Sequence, residues 1–445
     1  MDKEPYFHSV KLDTTACKGC INCVKRCPTE AIRVRNGKAK ILRERCIDCG
    51  ECIRVCPHHA KKAITDPLAL WEQYDLKIAL PAPSLYGQFN NMDDIDRIIA
   101  GLLKMGFDEV YEVAAAAELV SDCTRKLMSQ GALPRPVISS ACPAILRLIR
   151  VRFPQLLDNV LPLHAPVEVA ARIARKEASA RLGIAPERIG IIFITPCPAK
   201  VTAAKMPLGT EKSDIDLTVA VSEVYPLLAE AMRLVEEQPP ELCHSGRMGV
   251  GWGRSGGEAA ATLHERYLAA DGIENAIRIL EDMEDEKLHN LDFVELNACS
   301  SGCVGGVLNV ENPYVAAARL KRLGHYRPVS VNHIHDMVPP QAKWDRPVEY
   351  QPVMQLSENP IKSMALLRQM REIEQRLYGL DCGSCGAPSC RALAEDIVRG
   401  YSNEDACIYL LKEKLEVAME SMMALSVGSN PLKRDKPREE KEIEK

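Results

Sequence analysis

Four cysteines stand just past the ends of short apolar runs, and no other feature constrains the fold as tightly. Phe293 to Leu296 leads into Cys299 and Cys303, with Gly302, Gly305 and Gly306 around them. Val137-Ile138 leads through Ser139, Ser140 and Ala141 to Cys142-Pro143, and Ile191 to Ile194 leads through Thr195 and Pro196 to Cys197-Pro198. Short apolar runs bounded in this way read as buried strands. In an open α/β sheet, ligands gather beyond the carboxyl ends of the strands. Cys142, Cys197, Cys299 and Cys303 are therefore expected to converge on one metal assembly, with glycine letting backbone come close to it. A single free cysteine is most often a small buried hydrophobe. Three strand ends that each deliver one favour ligands.

Composition narrows the setting. The chain has 445 residues, room for roughly three domains on a length prior of about 150 residues each. Its net charge of -4 points to neither nucleic acid nor an anionic membrane surface. Met1 to Glu4 lacks the apolar core of a secretory signal, and no apolar run approaches membrane-spanning length. The expected location is therefore cytoplasmic. In a reducing compartment, 18 cysteines read as metal ligands rather than as disulfides.

Residues 1–70 carry one pattern twice. Cys17, Cys20, Cys23 and Cys27-Pro28 are spaced C-x2-C-x2-C-x3-C-P, and Cys46, Cys49, Cys52 and Cys56-Pro57 repeat it. This is the run of two-cluster bacterial ferredoxins, in which the fourth cysteine serves the other cluster. One [4Fe-4S] cluster is assigned to Cys17, Cys20, Cys23 and Cys56, and the second to Cys46, Cys49, Cys52 and Cys27. Zinc sites rarely use eight cysteines at this doubled spacing. Clusters with crossed ligands lie close together and act as a wire.

From Leu76 the chain alternates strands and helices to about Val310. Leu76 to Leu80, Val110 to Val113 and Ile189 to Thr195 read as strands. Helices are expected from near Asp93-Asp94, whose carboxylates suit a helix N-terminus, then over Ala114 to Met128, Ile145 to Val151 and Val167 to Ala180. Alternation of this kind implies parallel sheets covered on both faces. The fold class expected is an α/β domain of two parallel-sheet lobes over 71–325. An α+β two-cluster domain precedes it at 1–70. The proline-rich 326–360 reads as a linker or strap. A small helical domain at 361–428 follows, with helices over Asn359 to Leu377 and Ile408 to Leu425. The latter is amphipathic and could serve a homodimer or another partner. Cys382, Cys385, Cys390 and Cys407 can close a further [4Fe-4S] site there, with structural zinc as the competitor. The charged tail 429–445 is expected to be disordered. Cys123 and Cys243 read as packing residues, and His164 and His244 as structural or solvent-facing.

Taken together, residues 10–310 resemble an [FeFe]-hydrogenase. That family's active site, the H-cluster, joins a [4Fe-4S] cubane through a cysteine sulfur to a diiron unit carrying CO, cyanide and an azadithiolate. The family motifs T-S-C-C-P, M-P-C-x-x-K and E-x-M-x-C-x-x-G-C stand here as Ser139 to Pro143, Thr195 to Lys200 and Glu295 to Cys303. The resemblance implies that Cys142, Cys197, Cys299 and Cys303 are the ligands, with Cys303 in the bridging place. It also implies that Lys200 hydrogen-bonds one cyanide and that Ala82-Pro83-Ser84 contacts the other, a charge-assisted arrangement in the lysine's case.

The departures are equally specific. Ala141 replaces the family's proton-relaying cysteine, Thr195 and Asn297 replace two methionines, and Cys123 and Thr124 fall where proton-path glutamates belong. Losing a positioned acid is worth about 10^2–10^4-fold. The pattern resembles the divergent sensory branch of the family, which also carries a C-terminal cluster domain. The function this implies is slow, reversible oxidation of H2 and reduction of protons, with electrons relayed through accessory clusters to a redox or signalling protein. Two alternatives stand beside it. One is a fast metabolic hydrogenase linked to ferredoxin. The other is a hydrogenase-like iron–sulfur assembly protein without the diiron unit.

Overall fold

A computed structural model describes residues 7–90, 94–236, 239–335 and 337–428. The tail 429–445, Asp93 and Met1 to Glu4, on which expectations were placed, lie outside the described residues. Two compact units divide the chain, Met1–Met354 and Gln355–Lys445. Among the described residues no helix is long and apolar enough to cross a membrane.

The first unit begins with two small antiparallel pairs. Strand β1 (Val10–Leu12) pairs with β4 (Lys61–Ala63), and β2 (Ile32–Arg35) with β3 (Lys38–Ile41). Behind them lies a parallel sheet in the order β6-β5-β8-β9, made of β5 (Leu76–Pro81), β6 (Glu109–Val110), β8 (Ile189–Thr195) and β9 (Leu217–Ala220). All seven residues of β8 are buried. Side chains alternate across a strand. Accordingly Ile191 and Phe193 join the apolar layer of helices Val113–Ser129 and Pro166–Leu182, whereas Ile192 and Ile194 join that of helices Ile95–Met105 and Val221–Arg233. A central strand covered on both faces reads as one continuous apolar run, as this one does.

A second parallel sheet has the order β10-β11-β7, from β7 (Val137–Ile138), β10 (Tyr267–Asp271) and β11 (Phe293–Asn297). Its core holds Ile138, Val294 and Leu296 against the helices Pro143–Arg152 and Ile273–Glu284. The unit therefore contains two separate parallel sheets.

Local signals place most element ends. Asp94 caps the helix Ile95–Met105 by accepting the Asp96 N–H at 2.9 Å, and Asn359 caps Pro360–Arg376 by accepting those of Ile361 and Lys362. The strand expected over Val110 to Val113 is shorter, Glu109–Val110, and Val113 already begins a helix. Two forces end it early. Ala114 to Ala117 favour helix, and the Glu112 carboxylate turns inward to accept hydrogen bonds from Ser245 and Tyr86. Residues 326–354 run as a strap on the first unit. The Trp344 N–H donates to Pro162 O at 3.1 Å, the His164 N–H donates to Ala342 O at 2.8 Å, and Ala342 is buried.

In the second unit, helices Pro360–Arg376 and Cys390–Val398 enclose an apolar core with Met370, Ile373 and Leu393, and Ile408–Gly428 follows as a largely exposed helix.

Candidate metal centre

The two parallel sheets meet at their carboxyl ends. From the four-stranded sheet, β5 runs into Ala82-Pro83-Ser84 and β8 into Cys197 and Lys200; from the three-stranded sheet, β7 runs into Cys142 and β11 into Cys299 and Cys303. Cys142 and Cys197 each occupy the cap position of a helix whose first residue is proline. Proline is pre-set for that first position and has no N–H to leave orphaned. The helix N-terminus also favours a thiolate over a thiol. Between Cys299 and Cys303, Gly302 has φ +85°, and a Cβ there would lie 2.5 Å from the Ser255 nitrogen. Only glycine allows the two thiols to be brought round in so short a turn.

The four thiols lie within one electrostatic neighbourhood. Burial raises Cys197 to about 11, with Cys303 and Cys142 adding to the rise and Lys200 opposing it. Burial raises Cys299 further, and Cys197, Cys142 and Cys303 contribute. Cys142 is raised by burial as well, against hydrogen bonds from the backbone of Ala298 and Ile145. Lys200 lies beside three of the four. Its Nζ donates to Cys303 Sγ at 3.5 Å, and although burial opposes its charge, the thiolates of Cys303, Cys197 and Cys142 raise it above an ordinary lysine.

A cavity with about 540 Å³ of space outside protein atoms, partly open to solvent, adjoins this group and is lined by Ala82, Pro83, Ala141, Lys200, Asn297 and Cys303 among others. Next in sequence to Pro83, the Ser84 hydroxyl is fully buried and has no hydrogen-bond partner among the described residues. Buried hydroxyls are nearly always paired, so an orphan of this kind points to a missing partner. Four thiols suit a cubane, while a buried cation and a spare hydroxyl suit anionic ligands in the adjoining space. The residues thus fit a cluster extended by an anion-bearing group.

Thr195 and Asn297 are occupied locally. The Thr195 hydroxyl lies 3.3 Å from Cys197 O and 3.4 Å from Cys197 N, and Asn297 Nδ2 donates to Glu295 Oε1 at 2.7 Å. Cys123 and Thr124 are buried on the helix Val113–Ser129, where Thr124 donates to Val120 O. Cys243 is buried against Glu112 at 3.2 Å. His164 is buried rather than solvent-facing; burial lowers it to about 4, and its Nε2 has no partner.

Sequence reasoning missed Glu258, a titratable residue of this cavity. Glu258 lines it with Ala141, and the Ser139 hydroxyl donates to Glu258 Oε2 at 2.6 Å while accepting the Ala141 N–H at 3.1 Å. Burial and the nearby Glu295 push Glu258 up to about 8. Glu295 receives N–H donors from Gly256, Ala259 and Asn297, at 2.9, 2.8 and 2.7 Å, so the charge of the pair rests on Glu295 and the proton on Glu258. The only sequence signal was a lone carboxylate inside the small-residue stretch Gly256 to Ala261.

The N-terminal cysteines separate into two groups. Cys23, raised mainly by burial, feels Cys20, Cys56 and Cys17, and Cys52, raised by burial to about 12, feels Cys27 most strongly. The repeat is kept in detail: Cys27 Sγ accepts the Ala31 N–H at 3.2 Å, and Cys56 Sγ the Ala60 N–H at 3.3 Å. Cys49 adjoins the central site, since Cys299 is among the groups raising its thiol, although burial is the larger cause. Gly50 (φ +81°) lies against Val307 and Pro198, close enough that a Cβ would meet the Val307 side chain at 2.8 Å. In the second unit, Cys382, Cys385, Cys390 and Cys407 line one small cavity.

A central cysteine site at the junction of two parallel sheets, fed by a two-group cysteine domain, is the construction of a hydrogenase-type iron–sulfur protein. The family model for the iron-only hydrogenase large subunit, C-terminal domain, matches residues 76–307, just over half of the chain, and the chain belongs to that family. A 4Fe-4S dicluster domain matches 9–57, and a model for an inferred Fe-S cluster matches 377–409. Iron hydrogenase 1 of Clostridium pasteurianum is 26% identical over 324 residues, covering 64% of this chain and 55% of that protein. NADP-reducing hydrogenase subunit HndD of Solidesulfovibrio fructosivorans is 22% identical over 281 residues, covering 56% and 46%. The chain spans about half the length of these curated relatives. A variant of [FeFe]-hydrogenase HydA1 from Chlamydomonas reinhardtii aligns with TM-score 0.45 at 17% identity, over 60% of this chain and 87% of that one.

Proposed function

We propose that this chain is an H2-responsive redox protein that holds an H-cluster at Cys142, Cys197, Cys299 and Cys303. It would oxidise H2 and reduce protons slowly and pass electrons through accessory [4Fe-4S] clusters to a signalling protein. The observation that carries this reading is the buried Lys200, set against Cys303, Cys197 and Cys142 at a cavity lined also by Pro83, next in sequence to the Ser84 hydroxyl, which has no partner among the described residues. Cyanide ligands would meet a cation at one and a donor at the other, whereas a cubane alone would leave Ser84 without an acceptor. When bound, the diiron unit supplies the metal at which H2 is split into protons and electrons.

The chain's own residues divide the remaining tasks. Lys200 and Ser84 bind and orient, and the apolar walls at Ala82, Pro83 and Phe193 limit water. Ala141 has no proton to give, so the acid at this cavity is Glu258, which still carries its proton near neutrality. Proton movement through a residue fixed by Ser139, rather than through a thiol next to the ligand, supports slow turnover. Cys382, Cys385, Cys390 and Cys407 would hold a further cluster in the second unit, and its reduction would be the signal.

Infrared spectroscopy of protein loaded with the diiron unit is the test. Sharp CO and CN bands are expected. A protein that binds four irons centrally yet shows no such bands would instead be a cluster scaffold.

A further inference from the structure

The doubled motif relates residue n to residue n + 29, Cys17 to Cys46 and Cys27 to Cys56, and the structure obeys the relation closely. Glu30 and its counterpart His59 both have positive φ, 50° and 48°. Among the positions that break the symmetry in charge, two are 2% exposed or less. Ile32, buried at 2%, has Lys61 as its counterpart, also 2% exposed, and among the described residues the Lys61 Nζ has no hydrogen-bond partner. Gly19 has Asp48 as its counterpart, 1% exposed, with Oδ1 3.7 Å from Cys46 Sγ.

Each break lies closer to one of the two metal sites. Lys61 follows Ala60, whose N–H binds Cys56 Sγ, and it acts on Cys17 and Cys23, all three on the Cys17 site; it also reaches Cys52. Lys38 adds to the same side, donating to Cys17 O at 2.7 Å. Asp48 lies against Cys46 and acts on Cys52, both on the Cys46 site. A buried lysine normally needs a partner, and here the groups within its reach are thiols that would carry a cluster.

We propose that Lys61 and Asp48 set the two N-terminal clusters at unequal potentials, the outer Cys17 cluster being the easier to reduce, so that electrons leaving the central site run outward. Cys49, a ligand of the inner cluster, neighbours Cys299 and makes that cluster the entry point. One electron would leave the inner cluster and enter the outer one, with no proton moved. The added negative charge is stabilised beside Lys61 and would be repelled beside Asp48. This rests on both cysteine groups binding [4Fe-4S] clusters.

The test is a redox titration of the full chain, loaded with iron and sulfide and followed by electron paramagnetic resonance. Two N-terminal waves are expected to differ by at least tenfold in reduction equilibrium, about 59 mV for one electron. Lys61→Met should lower the higher wave by about that amount, Lys61→Arg should leave it in place, and Asp48→Asn should raise the lower one. Two waves that coincide in the unaltered protein overturn the inference, as does a higher wave that Lys61→Met leaves unmoved. Absence of N-terminal waves from the unaltered protein would instead show that the clusters do not load, which removes the premise.

Discussion

The two parallel sheets contribute unlike chemistry to the place where they meet. The three-stranded sheet supplies Cys142, Cys299 and Cys303, together with Ser139 and Glu295, and Glu258 lies beside it. The four-stranded sheet supplies one thiol, Cys197, and the groups that suit anions, Lys200 and Ser84. On the proposed function, one side would grip metal and handle protons, while the other would meet negative ligands. Holding a cubane and holding a diiron unit would then be separable properties, and substitutions on the two sides should fail in different ways.

The largest effect is expected on the thiol-rich side. Cys299→Ser removes a ligand from a buried four-thiol set and should lose the central cluster, about four irons per chain by metal analysis, together with every CO and CN band. Retention of a central [4Fe-4S] signal in that variant would break the division of labour. Lys200→Met comes next. It should leave the central cubane intact by iron analysis while lowering the yield of CN bands about tenfold or more, as expected when a desolvated charge-assisted hydrogen bond is lost.

Proton supply comes third. Glu258→Gln should lower H2 turnover by about tenfold or more, and Ala141→Cys should raise it, by up to about 10^2-fold if the missing thiol limits the rate. Turnover unaffected by either change would place the proton route elsewhere. The smallest effect concerns pH and stability. Glu258 is raised from 4.5 to about 8 in the folded chain. Its contribution to stability is therefore full below about 4.5 and is lost as pH rises through about 8. Thermal melts between pH 5 and 9 should fall more steeply for the unaltered protein than for Glu258→Gln.

Much of this architecture could be read before any coordinates, for reasons specific to each part. β8 was legible because seven consecutive residues are buried on both faces, so pattern and structure coincide. The cap at Asp94 was legible because it acts through its own neighbour two residues on. β10 drew no expectation. Its Tyr-Leu-Ala-Ala-Asp sequence has little strand preference, and it is carried by parallel pairing with all five residues of β11. The strap 326–354 has no periodicity because single backbone hydrogen bonds fix it, rather than a repeating apolar face. The convergence of thiols from residues 142 to 303 could be argued from strand ends. Glu258 could not, since its importance comes from a serine over a hundred residues away in sequence. Lys61 was hidden for a related reason, because a lysine attracts notice only once it is known to be buried.

Because Cys142, Cys299 and Cys303 come from the rim of one sheet and Cys197 from that of another, neither sheet alone owns the four thiols that the proposed central cage would need. A nascent chain that had finished only the stretch up to Cys197 would present just two of the four sulfurs. Iron could then take its final position only after the polypeptide had been made through Cys303 and both halves had closed. Loading of the cofactor would thus serve as an inspection of the finished fold.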